Sequence, residues 1–139
     1  TLAIIEGMMV RVGSSVYILP LLSIVESLRP RREDVKTVKE KGEVILVRNE
    51  YVSLVRLYEL FGIEPEFKNP WESLVVVVEA AASRVGIMID ELMGQQQIVI
   101  KSLENYISNT RALSGAAILG DGRVALIIDV HGLVEEISK

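Results

Sequence analysis

The sequence predicts an all-β chain built as a pseudo-symmetric pair of small β units, a barrel or sandwich architecture. Three observations predict it. Many short β-rich runs recur at roughly even spacing with turn signals between them, and no long amphipathic helix interrupts them, which excludes the doubly wound nucleotide-binding folds. The chain also repeats itself. Ser14-Ser15-Val16-Tyr17-Ile18-Leu19 returns as Ser83-Arg84-Val85-Gly86-Ile87-Met88, an offset of 69. Residues 52–61 return as 125–134, an offset of 73, and Leu54/Ile127, Val55/Ile128, Leu57/Val130 and Leu60/Leu133 keep their apolar character. The second copy therefore carries about four more residues in its middle. Two copies are too few for a solenoid, which needs about three. Finally, 139 residues with 50% hydrophobic and 24% charged side chains hold enough apolar surface for one packed domain or two small subdomains sharing a core.

Runs 8–12 and 16–19 flank Gly13-Ser14-Ser15, a hairpin signal, because glycine enters turn conformations that other residues resist. Residues 23–28 stay β-like until Arg29-Pro30-Arg31-Arg32, where Pro30, lacking an N–H, ends the strand or marks an edge. Runs 35–38 and 44–47 bracket the charged turn Lys39-Glu40-Lys41-Gly42, and run 51–55 follows Asn49-Glu50. Leu57, Leu60 and Phe61 fall at i, i+3 and i+4, one helical stripe, with Gly62 as C-cap. Residues 63–70, with Pro65 and Pro70, break every periodicity. They read as the linker between a first subdomain of about 6–66 and a second of about 67–132, with Trp71 sealing the seam. Residues 74–78 are continuous and aliphatic, a strand buried on both faces. Residues 80–83 turn the chain into 85–89. Residues 91–97 are polar and punctuated by Gly94, residues 98–100 form another strand, and 105–111 read as a loop. The clearest hairpin joins 116–119 to 124–128 through Gly120-Asp121-Gly122. Residues 133–139 form a short terminal segment, helical in character, packing back on the core.

Chemistry is excluded residue by residue. The net charge of −4 argues against nucleic acid, which requires a basic face. There are no cysteines, and His131 is the only histidine, so neither a thiolate nor a common metal set can form. Asp90 and Glu91 are adjacent, which a strand points to opposite faces, so they read as solvated charges rather than an acid–base pair. Gly120-Asp121-Gly122 lacks the longer loop and the lysine that cradle phosphate. Arg29, Arg31 and Arg32 run straight into Glu33 and Asp34, a mixed-charge turn. Gln95-Gln96-Gln97 cannot perform acid–base work. The longest aliphatic runs, 74–78 and 124–128, fall far short of the ~18 residues that span a bilayer. No signal peptide is read, and the β-like start at Thr1 reads as a piece of a longer protein. What survives is binding by surface, the work of a scaffold or adaptor.

The string Gly94-Gln95-Gln96-Gln97-Ile98-Val99-Ile100-Lys101-Ser102-Leu103-Glu104 carries a resemblance. So does Ser114-Gly115-Ala116-Ala117-Ile118-Leu119-Gly120-Asp121-Gly122-Arg123-Val124-Ala125-Leu126-Ile127. Together they closely resemble the CheW-like regulatory domain of bacterial chemotaxis histidine kinases, the CheA family. Tyr17-Ile18-Leu19-Pro20 resembles an early strand of that family, and residues 1–5 resemble the last strand of the ATP-binding domain that precedes it, leaving 6–139 as the CheW-like domain. The resemblance implies two five-stranded SH3-like barrels sharing a hydrophobic core. It implies a non-catalytic module without cofactor that binds the CheW adaptor and chemoreceptor tips, acts on the kinase domain of its own chain, and sits in cytoplasmic arrays under the membrane without inserting into it. His131 is then not the phospho-acceptor. The alternatives are a free-standing CheW adaptor and a small-barrel nucleic-acid-binding module. The latter lacks its basic groove and aromatic platforms, at 5% aromatic residues. For partner contacts, the aliphatic strands 44–47 and 98–100 are the candidates, since alternation lets only one face of each point inward. Val38, Val44, Ile98 and Ile100 are the residues expected there.

Overall fold

Side-chain alternation along the strands decides this fold, because several strands are apolar on both faces. In the computed structural model, residues 3–39, 42–100, 112–119 and 121–137 are described. The strands are β1 (Ala3–Val12), β2 (Ser15–Pro20), β3 (Ile24–Leu28), β4 (Val35–Val38), β5 (Gly42–Val47), β6 (Glu50–Arg56), β7 (Leu74–Ala80), β8 (Ser83–Ile89), β9 (Glu91–Ile100), β10 (Leu113–Ile118) and β11 (Val124–Ile128). Helix α1 (Leu57–Leu60) follows β6 and α2 (Val130–Ile137) follows β11. Gly62 has φ +65°, as expected of the cap after α1. The polar run 91–97 proves to be strand: β9 is continuous through it, with its outward side chains in solvent and a bulge against β1. The loop expected at 105–111 lies outside the described residues.

Two barrel-like sheets hold the strands. The terminal sheet runs β10-β11-β2-β1-β9, and the central sheet runs β3-β7-β8-β6-β5-β4. Five strands are met in the first. The second gains β4 at its edge, and among the described residues neither sheet closes its hydrogen-bonded ring. All neighbours are antiparallel except β11 beside β2 and β6 beside β8, which are parallel. Each sheet takes strands from both sides of the linker. The first hairpin, β1–β2, joins β9, β10 and β11, whereas β7–β8 joins β3 to β6. Sequential units of 6–66 and 67–132 are therefore not the two sheets. The crossovers explain why: only Leu21–Ser23 separates β2 from β3, and only Asp90 separates β8 from β9, so each leads straight into the facing sheet.

Three apolar cores result. Val16 and Ile18 of β2 point into the terminal sheet's interior with Ile98 and Ile127, while Tyr17 and Leu19 point the other way. Val75 and Val77 of β7 enter the central sheet's interior with Ile45 and Leu54, while Val76 and Val78 join Tyr17 and Leu19 between the sheets. Residues 74–78 are thus covered on both faces, as the sequence predicts. Helix α2 lays Val130, Leu133 and Val134 on the shared core. At about 1.5–3 kcal/mol per fully buried aliphatic side chain, this shared layer is what holds the sheets together.

Strand pairing corrects the repeat. Ser53 lies beside Val85 and Leu126 beside Tyr17, and 53 and 126 are equivalent at offset 73. Tyr17 therefore matches Val85, an offset of 68. The turns agree, with Val12 opposite Ser15 and Ala80 opposite Ser83. So do the next strands: Ile24 opposes Val78 as Leu92 opposes Val10, each followed by a bulge, at Val25 and Met93. The offset of 69 is one residue out, and the insertion is five residues. A one-residue slip exchanges the two faces of a strand. It would equate Tyr17, in the shared core, with Gly86, which faces the central sheet's interior.

Candidate partner-binding surfaces

Because Val52 and Leu54 fill the central sheet's interior, Tyr51 is turned outward, directly opposite Leu46 on β5. Because Ala125 and Ile127 fill the terminal interior, Val124 is turned outward, directly opposite Ile118 on β10. These two pairs occupy equivalent places in the repeat. Tyr51 is 56% exposed and Ile118 55%, large values for apolar side chains on a strand. The bulge residues Val25 and Met93 are a second matched and exposed pair. Each sheet thus shows solvent the same apolar features in the same place.

A third apolar feature has no mate. Ile4, Ile5, Pro20, Leu21 and Leu22, with Glu6, line a shallow groove of about 360 Å³. Val99 lies directly opposite Ile4, and both are exposed. Leu22 is fully exposed. The residue equivalent to Leu22 is Asp90.

Of the four residues expected at a partner surface, Val38 is exposed at 42%, at the end of edge strand β4. The exposure expected of Val44 and Ile98 is corrected: each is 4% exposed, and Ile98 packs in the terminal interior against Ile18 and Ile127. For Ile98 the physical reason is phase, since the inward face of β9 is the one carrying it, which leaves Val99 outside; Val44 lies on the face of β5 away from Ile45 and Val47 and is covered there. The side chain of Ile100 lies outside the described residues. The sequence reading missed Tyr51, Ile118, Val124 and Leu22. The signal for Tyr51 and Val124 was available, because alternation counted from the apolar positions 52/54 and 125/127 leaves 51 and 124 outward.

Asp90 is not a solvated charge. Its side chain is buried, and its carboxylate accepts main-chain N–H groups from Gly13 at 2.6 Å, Glu66 at 2.9 Å and Phe67 at 3.2 Å. Arg11 spans the same junction, donating to Glu91 at 2.8 Å, to the Gly13 carbonyl at 2.9 Å and to Glu66. The linker lies so close to the first turn that a Cβ on Gly13 would stand 2.1 Å from the Glu64 carbonyl oxygen. Further along, Arg56 holds Glu43 through two bonds of 2.7 and 2.8 Å and donates to the Lys68 carbonyl. That carboxylate raises the Arg56 pKa, keeping its charge fixed. The Asp121 carboxyl is held below its usual range by Arg123, first through its main-chain N–H and then its side chain. Trp71 lies under the Arg32 guanidinium at 5.2 Å. His131 is exposed on α2, 3.0 Å from Glu135. Among the described residues no group of three His, Asp or Glu is placed to hold a metal, and no helix is long and apolar enough to cross a membrane. What the exposed pairs and the groove offer chemically is apolar contact.

Comparison with known proteins supplies the context. The family model of the CheW-like domain matches residues 6–138. The chain is 43% identical over 133 residues to the chemotaxis protein CheA of Salmonella typhimurium and 45% identical over 137 residues to that of Treponema pallidum. It is 38% identical over 135 residues to the sensor histidine kinase CheAY of Helicobacter pylori. These matches cover 96–97% of this chain but only 17–20% of each relative, so the chain spans about a fifth of their length. The solved scaffolding protein TtCheW of Thermoanaerobacter tengcongensis matches with a TM-score of 0.68 at 19% identity, covering 91% of this chain and 90% of that one. That likeness speaks for the fold.

Proposed function

The chain belongs to the CheW-like domain family, and on that premise we propose that it is the regulatory scaffold domain of a chemotaxis histidine kinase. It binds a CheW adaptor through the matched pairs Leu46/Tyr51 and Ile118/Val124, and a chemoreceptor tip through the unmatched groove at Ile4 and Leu22. The observation that carries this reading is the duplication of the outward apolar pair, with Tyr51, Ile118 and Val124 exposed and Leu46 half-buried. A partner of the same fold carries the same two places, so either end of one molecule can meet an end of the other. Head-to-tail contacts of this kind close into rings when the rotation allows. The receptor tip has no such symmetry, and the groove without a mate suits it. Identity of 38–45% to kinases along this region favours a kinase domain over a free-standing adaptor. The domain itself transfers no phosphate, and it passes receptor state to the kinase domain of its own chain inside cytoplasmic arrays.

The test is adaptor binding beside thermal melting. Tyr51→Ser and Ile118→Ser are expected to weaken adaptor binding by roughly 1–2 kcal/mol or more while leaving the melting temperature near wild type. Val44→Ser and Ile98→Ser are expected to lower the melting temperature instead. Normal adaptor binding by both surface variants would remove these pairs from the interface. ATP turnover that copurifies with the chain and vanishes on changing one of its residues would overturn the non-catalytic assignment.

A further inference from the structure

Among the described residues the chain passes between the sheets twice, through Leu21–Ser23 and through Asp90. Apolar contact in the shared core is non-directional and does not by itself fix how one sheet is rotated on the other. Directional bonds at the crossovers do. We infer that Asp90 is a positioning residue that fixes the angle between the two sheets, and with it the angle between their matched partner surfaces. Its carboxylate sits between the last central strand, β8, and the terminal strand β9, and its bonds tie two separate segments to that point. Gly13 belongs to the first turn of the terminal sheet, while Glu66 and Phe67 belong to the linker that joins β6 to β7 within the central sheet. The Asp90 N–H in turn donates to the Arg11 carbonyl at 2.9 Å. Arg11 and Glu66 brace the same point from the outside. At the equivalent crossover, Leu22 points into solvent. One crossover is tied by a buried carboxylate and the other carries an exposed leucine.

This rests on the proposed function for its consequence: a ring forms only if the two ends of each molecule hold a fixed angle. The chain has no cysteine, so Thr37→Cys on β4 and Ser114→Cys on β10 give one spin label on each sheet, both at exposed positions. Wild type is expected to show a narrow label-to-label distance distribution. Asp90→Ala is expected to broaden or shift it. The amides of Gly13, Glu66 and Phe67 should then exchange about ten- to a hundredfold faster, since buried bonds to a charged group are lost. Should Asp90→Ala fail to fold, Asp90→Asn keeps the volume and one acceptor and is expected to fall between the two. Binding of one adaptor should stay within about twofold of wild type, while larger assemblies with the adaptor are lost. An unchanged distance distribution in a variant with accelerated amides would overturn the assignment. Intact assembly from a chain with a broadened distribution would break its link to function. If the wild-type chain binds no adaptor, the proposed function falls while the label distances still decide the role of Asp90.

Discussion

In the first hairpin the terminal sheet carries Gly7 and Ile18, and the central sheet carries Val75 and Gly86 at the equivalent positions. A Cβ on Gly7 would stand 2.6 Å from Ile18 Cγ2 and 2.7 Å from Ile98 Cδ1. A Cβ on Gly86 would stand 2.8 Å from Val75 Cγ1. Each sheet leaves room on one strand for a large side chain from the other, and the two sheets do so from opposite sides. The duplicated fold conserves the volume of the pair, not the residue at either place. Cores accept such exchanges when total volume is kept. The same comparison at the crossovers runs differently: Leu22 and Asp90 are equivalent, yet one is free in solvent and the other is a buried anchor.

The largest effect should come from unbalancing the volume. Ile18→Gly is expected to cost roughly 3–5 kcal/mol in urea unfolding, from the cavity and the flexible strand residue. Gly7→Val should cost about 1–3 kcal/mol by overpacking. The double variant carries the central sheet's solution into the terminal sheet, and it should recover at least about 1 kcal/mol relative to the sum of the singles. Simple additivity would break the comparison. Next in size, Asp90→Leu should cost roughly 2–4 kcal/mol by leaving the amides of Gly13, Glu66 and Phe67 without their acceptor, whereas Leu22→Asp should stay within about 0.5 kcal/mol. A smaller effect distinguishes the turns. Gly13 and Ala81 are equivalent, with φ of +59° and +50°. Ala81→Gly should add a few tenths to about 1 kcal/mol by relieving the left-handed backbone. Gly13→Ala should lose stability, since its Cβ meets the linker.

The smallest effect is alkaline. Burial pushes the Tyr17 phenol from 10 up to about 12, whereas its counterpart Val85 cannot ionise. Because the folded pKa is raised, the stability Tyr17 contributes is complete below about pH 10 and is lost as pH climbs toward 12. Tyr17→Phe should flatten that decline in a pH series of urea midpoints.

Strands and turns were legible because they depend on local pattern. The 124–128 hairpin strand, the two-faced burial of 74–78 and the cap at Gly62 all follow from alternation, β-branching and glycine. Three things were not. A repeat whose partners exchange glycine for isoleucine gives a faint alignment, and an error of one residue passes unnoticed without strand pairing. Alternation separates two faces but cannot say which face meets a core, so Ile98 read as an exposed candidate, and it cannot show that Val44, on the face of β5 away from Ile45 and Val47, is covered as well. Asp90 read as solvated because its partners are main-chain amides near residues 13 and 66, and an amide leaves no mark in the sequence.

The exchange of first hairpins has a consequence for biosynthesis. The central sheet has all its strands once the chain reaches Ile89, with Ser53 and Val85 separated by a modest loop. Tyr17 must wait for Leu126. At about 5–20 residues per second, β1–β2 spends on the order of 5–20 s outside the ribosome with its parallel partner unmade, and for most of that time without β9 on its other edge as well. On a polysome, neighbouring nascent chains present the same unfilled edges at high local concentration. Capture of one chain's hairpin by another is the off-pathway product this topology invites, and slow, long-range closure of the terminal sheet is the step at which a chaperone has most to protect.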